Sequence, residues 1–186
     1  WDKRKNQTGT HNSPDMEFAV TDTDDIGKIF IADRTGQTAT LLRKNGYWEY
    51  NGRYHARRSA MQILLETIQR VNVLNIPPKI SEPSMIRDVA SDGIKVEIYD
   101  KSGDRMKCYY IGGVTKDEQG TIFIMDGSEK PYICHIPGFV GTLRVRYMLG
   151  DDNWRDRAVF EEKPEDIQSV TVEYPQTKSE SFRLEK

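Results

Sequence analysis

The sequence predicts an α+β fold: antiparallel or mixed sheets built from a meander and hairpins, one main amphipathic helix packed on a sheet, and the start of a second similar unit. Three observations predict it. Short apolar runs recur between turn dipeptides such as Asn45-Gly46 and Asn51-Gly52. One stretch, Ala56 to Leu74, carries helical periodicity instead. Near the C-terminus, a pattern from the first strands returns.

Composition supports a folded chain. Hydrophobic residues make up 37% and aromatics 10% of 186 residues, enough to bury a core. Charged residues are 30% yet nearly balanced, with a net charge of −2, so no basic excess asks for nucleic acid. No apolar run reaches the ~20 residues that span a bilayer. The chain opens on Trp1 rather than Met and shows no signal peptide, so a cut or processed N-terminus is expected.

Residues 1–16 read as a flexible tail or linker, polar and without periodicity. Within them Trp1-Asp2-Lys3-Arg4-Lys5 suits either the outer edge of a membrane anchor or a solvated basic start. Residues 17–150 form the α+β unit, with order expected from Phe18. Ile26 to Ala32 is a strand, Gly36 turns the chain into Thr38–Arg43, and Tyr47, Trp48 and Tyr50 complete a three-stranded meander. In the helix, Met61, Leu64, Leu65, Ile68 and Val71 form one stripe, with Arg57, Arg58, Gln62, Glu66 and Arg70 off it. Pro77-Pro78 forbids continuation. A shorter helix from Pro83 to Ala90 takes Ser81 as cap and Gly93 as stop. Two hairpins follow, Ile94–Tyr99 with Met106–Ile111, and Thr121–Met125 with Tyr132–Ile136. Phe139 to Tyr147 is apolar and fits a short helix.

Residues 151–186 read as a joint and the first strands of a truncated second unit. Glu165-Asp166-Ile167-Gln168-Ser169-Val170-Thr171-Val172 repeats the pattern of Asp24-Asp25-Ile26-Gly27-Lys28-Ile29-Phe30-Ile31. Phe182 to Lys186 then echoes Thr40 to Lys44 with a one-residue slip, and the pairs Phe18-Ala19 and Val159-Phe160 precede the two copies. The two late strands are expected to finish the sheet of the first unit.

Four segments in order carry a family resemblance: Asp25-Ile26 with its strand; Gly46-Tyr47-Trp48 with Tyr54 and Leu64-Leu65; Val96-Glu97-Ile98-Tyr99-Asp100 with Tyr110-Ile111-Gly112; and Asn153-Trp154-Arg155-Asp156-Arg157 before Phe160 and Asp166-Ile167. Together they resemble the DUF 4340 family, a domain of unknown function in bacterial envelope proteins. The resemblance implies two similar halves behind an N-terminal membrane segment or lipoprotein-type signal. It also implies an extracytoplasmic location and a setting beside ABC-type transport or gliding-associated components. No catalytic residues are known for the family.

Trp154, Arg155, Asp156 and Arg157 are the densest chemical cluster and the one candidate site. Trp and Arg are common hot-spot types, which suits an interaction site. A structural clasp, with Trp154 plugging a core edge and Asp156 pairing an arginine or capping a turn, is favoured over it. Tyr47, Trp48, Tyr50, Tyr54, His55, Arg57 and Arg58 mix aromatics with bases, but strand alternation splits them between two faces. Asp22, Asp24 and Asp25 lack the glycine and terminal Glu of a calcium loop and suit turns. Asp151 and Asp152 suit capping in the same way. Cys108 and Cys134, with three histidines in the chain, make no zinc pattern and read as buried thiols, ranked above a cross-strand disulfide. His135 follows Cys134 on a strand, where neighbours face opposite ways and cannot form a nucleophile pair. Gly112-Gly113 and Gly141 read as turn glycines.

No catalytic, metal or cofactor residues emerge. The expected function is a non-catalytic, extracytoplasmic interaction module of a membrane-anchored envelope protein whose partners are other envelope proteins. The alternative is a solute- or glycan-binding domain using a cleft between units.

Overall fold

The computed structural model describes residues 14–147, 150–158 and 162–186. The Trp1–Lys5 run, most of the expected tail and the Val159-Phe160 pair lie outside the described residues. The chain divides into two compact units, Trp1–Asp156 and Arg157–Lys186. The first therefore extends past the boundary expected at residue 150.

The first unit is built from β1 (Ile26–Ala32), β2 (Thr38–Arg43), β3 (Trp48–Tyr50), β4 (Tyr54–His55), α1 (Arg58–Arg70), β5 (Asn72–Asn75), α2 (Glu82–Asp92), β6 (Ile94–Asp100), β7 (Arg105–Val114), β8 (Thr121–Met125), β9 (Pro131–His135) and α3 (Asp151–Trp154). Among the described residues its nine strands form one antiparallel sheet in the order β4-β3-β2-β1-β6-β7-β8-β9-β5. The α+β expectation holds, with every pairing antiparallel.

Alternation builds the core. Ile29 pairs with Leu41 and with Ile98, and Ile31 pairs with Val96. These five side chains are buried on one face together with Tyr109, Ile111 and Phe123. Helix α1 adds Ala60, Met61, Leu64 and Ile68 to the same cluster, as its stripe predicts. Asn45-Gly46 makes the expected tight turn: Lys44 N–H donates to Tyr47 O at 2.9 Å and Gly46 takes φ 86°, a conformation that favours glycine.

Helix α1 is shorter than its sequence pattern. Asn72–Asn75 continue the helical stripe in sequence, yet they leave the helix to pair with β9. Local periodicity here yields to a nonlocal ladder, and Pro77-Pro78 bounds the strand. In α2, Ser81 offers no side-chain cap; the Ser84 hydroxyl donates back to Ser81 O at 2.8 Å instead. The Phe139–Tyr147 stretch holds a 3-10 turn over Arg144–Arg146.

Helix α2 lies on the opposite face of the sheet. Val89 packs with Ile122, Ile124, Met85 and Tyr110, residues that alternate with the main-core Tyr109 and Phe123. Gly112 and Gly113 are not turn residues: both lie inside β7 and make room for this helix. A Cβ on Gly112 would meet Val89 Cγ2 at 2.7 Å, and Gly113 N–H donates to Asp88 Oδ2 at 2.8 Å. Pro14–Met16, placed in the tail by sequence, form a 3-10 turn. There Asp15 Oδ2 accepts from Tyr132 Oη at 2.8 Å.

The second unit contains β10 (Ser169–Val172) and β11 (Phe182–Glu185), which pair with each other in a separate two-stranded sheet. They do not finish the sheet of the first unit. The β1 strand is already flanked by β2 and β6, and the β4 edge is occupied by Arg155 of the first unit. The register also corrects the echo. Val170 faces Leu184 as Ile29 faces Leu41, so Leu41 corresponds to Leu184 rather than Arg183. The hairpin thus lengthens by an even number of residues, which keeps each side chain on its original face.

Candidate functional site

The Trp154-Arg155-Asp156 segment is a strap across the outer edge of β4. Helix α3 is one short turn, in which Asn153 N–H donates to Gly150 O at 2.8 Å. That turn delivers Trp154 into the core, where it is 1% exposed and stacks on Tyr50 with ring centroids 6.4 Å apart. Backbone pairing follows: Arg57 N–H donates to Trp154 O at 2.7 Å, Arg155 bridges Ala56, and Asp156 N–H donates to His55 O at 2.8 Å. The Arg155 guanidinium sits 3.8 Å above the Tyr54 ring. Edge groups of β4 that would otherwise face water are satisfied by the same chain. Arg157 is exposed and begins the second unit.

This geometry has the character of a clasp. A buried Trp154 offers no surface to a partner, and Asp156 contributes its backbone N–H to the strap. The four candidate residues are adjacent in space because they are adjacent in sequence.

The aromatic-basic run is likewise built into packing. Trp48 and Tyr50 are buried. Arg43 lies 4.5 Å over the Trp48 ring while donating to Ile26 O at 2.6 Å and Thr23 O at 2.7 Å. Tyr47 stacks on His55 at 4.1 Å. Asp22 Oδ1 accepts the Asp24 N–H at 3.0 Å, the turn role expected of it. Among the described residues no cluster of three or more His, Cys, Asp or Glu is placed to hold a metal ion.

Cys108 and Cys134 are both free and buried. They lie on β7 and β9 with β8 between them, and they face opposite sides of the sheet: Cys108 pairs with Glu97, whereas Cys134 shares the core of Tyr132. A disulfide between them is therefore excluded by geometry. Burial pushes the Cys108 thiol up to about 11 and holds the Cys134 thiol well above its ordinary range. Neither is a thiolate near neutral pH.

Sequence reasoning missed a buried aromatic centre. The Tyr109 and Tyr147 hydroxyls meet at 3.2 Å, ringed by Phe18 and Phe123, and burial raises both phenols. Strand alternation marks Tyr109 as core, but no local signal pairs it with Tyr147.

The two sheet edges differ. Among the described residues, nothing pairs with the outer side of β5. A bulge between Val73 and Asn75 interrupts its pairing with β9, and Leu74 is 40% and Ile76 63% exposed beside it. An open cleft of about 750 Å³ runs along this edge, between Met16–Ala19 and Arg70–Ile76. No family model, curated protein or solved structure matches this chain.

Proposed function

We propose that this chain is a non-catalytic, extracytoplasmic interaction module of a membrane-anchored envelope protein. Its partner is an extended segment of another envelope protein. The observation that carries the reading is the β5 edge, which pairs with no further strand among the described residues. One edge of the sheet is closed by its own chain, while the other presents backbone groups beside exposed Leu74 and Ile76. Such an edge accepts an added strand, whose main chain supplies hydrogen bonds and whose alternate side chains reach the flanking apolar residues. The bulge and Pro77-Pro78 keep the receptive stretch short, which suits a reversible contact. The envelope setting and the association with an ABC-type transport or gliding-type complex follow from the DUF 4340 resemblance.

A pull-down from native membranes with the full-length anchored protein tests this. Transporter subunits should be recovered with the native protein and lost with Leu74→Lys combined with Ile76→Lys. Equal recovery with the charged edge, or no recovery together with tight sugar binding, would overturn it.

A further inference from the structure

Asn45-Gly46 and Asn51-Gly52 both turn the chain within the first meander, and the fold holds them differently. Asparagine is thermolabile, most of all before glycine, whose missing Cβ leaves its backbone nitrogen open to the neighbouring side-chain amide. In Asn51-Gly52 that amide is committed elsewhere. Asn51 Oδ1 accepts the Thr40 N–H at 2.8 Å, Nδ2 reaches Thr38 O at 3.5 Å, and the Asn51 N–H donates to Thr40 O at 2.8 Å. Swinging the side chain toward Gly52 would break its bonds to β2.

Asn45-Gly46 carries no such restraint. Both residues are exposed at the tip of the β2–β3 hairpin. Among the described residues, neither the Asn45 side-chain amide nor the Gly46 N–H makes a hydrogen bond, and the bond that closes this turn joins Lys44 to Tyr47. The surroundings favour reaction as well. Asn45 lines an open cleft of about 590 Å³ together with Lys28, Arg43, Lys44 and Lys101. The Asp100 carboxylate of the same lining is taken up by the Ser102 and Asp104 N–H groups, at 2.8 and 2.9 Å. Positive charge at this site stabilises the amide anion that must form on the Gly46 nitrogen.

We propose that Asn45 is a self-modification site of this chain, converted to aspartate and isoaspartate by its own backbone. The deprotonated Gly46 nitrogen bonds to Asn45 Cγ, the Cγ–Nδ2 bond breaks, and ammonia leaves with a proton from solvent. Water then opens the resulting succinimide at either carbonyl. A water is consumed, an ammonia is released, and nothing is oxidised or reduced. The product places a new carboxylate in a cleft rich in bases. As isoaspartate it also lengthens the main chain in the turn that sets the β2–β3 register.

The test is incubation of the intact chain in mildly alkaline buffer, with peptide mapping by mass spectrometry at intervals. Electron-driven fragmentation separates aspartate from isoaspartate. Asn45 should convert about tenfold faster than Asn51 or more, because the Asn51 amide must first leave β2. Isoaspartate should be the larger product at Asn45, as opening of the succinimide requires. In guanidinium chloride the two rates should converge, since the fold and not the dipeptide sets the difference. Four results would overturn the proposal: equal rates in the folded chain, Asn51 converting first, aspartate without isoaspartate at Asn45, or the same gap persisting in denaturant.

Discussion

Ile29 faces Leu41 across the first hairpin of the chain, and Val170 faces Leu184 across the last. Both hairpins are antiparallel, and both put their β-branched and leucine residues on one side. The surroundings are opposite. In the first, β6 extends the sheet, α1 lies on the apolar face, and both residues are 0% exposed. In the second, the sheet stops at two strands and the same face is open. Pairing is written into the alternation of each strand, whereas burial comes from elements far away in sequence. Hairpin identity and hairpin stability are therefore separable.

Several substitutions would break or sharpen that comparison. The largest effect belongs to Trp154→Ala, which opens the β4 edge and leaves a core cavity. It should cost about 3–5 kcal/mol in the denaturant unfolding of the first unit. Next, Leu41→Ala should cost about 2–5 kcal/mol, while the register-equivalent Leu184→Ala should stay within about 0.5 kcal/mol. Equal costs would mean that the two faces are equally buried. Tyr147→Phe strands the Tyr109 hydroxyl in an apolar centre and should cost about 1–3 kcal/mol, partly restored when Tyr109→Phe is added.

The smallest effect lies on the α2-bearing face of the first sheet. There the hydrogen bond from Lys95 holds the Glu97 carboxyl below its ordinary value of 4.5, with a further bond from Tyr99. A lowered carboxylate stabilises the fold above about pH 4.5, and that contribution fades as pH falls through the lowered value. Glu97→Gln should therefore cost no more than about 1 kcal/mol at neutral pH and flatten the acid limb of the stability profile. Thermal unfolding from pH 7 to pH 3 would register both.

Much of the fold was legible where one period governs a segment. The alternation of Ile94, Val96 and Ile98 and the Asn45-Gly46 turn give strands and a hairpin close to those observed. Where two local preferences agreed but a distant partner decided, the sequence misled. Asn72–Asn75 extend a helical stripe and become a strand because β9 is there to pair with. Gly112 and Gly113 carry ordinary turn chemistry, yet they are glycines because α2 approaches β7. The Trp154 block stood out by residue type, and its role as a strap depends on His55 and Ala56, distant in sequence. The β5 edge had no signature of its own, since an edge is defined by the absence of a neighbour.

The strap has a consequence for synthesis. Strands β1 to β4 can pair as soon as they are made, but β4 meets its outer partner only after Trp154–Asp156 has been translated. Until then the nascent meander carries an unpaired border and a missing indole plug, the state in which strands most readily join the wrong neighbour. A ribosome pausing before Trp154 is made would hold the chain in that state, and only once Asp156 has cleared the ribosome can the unit close its own seam.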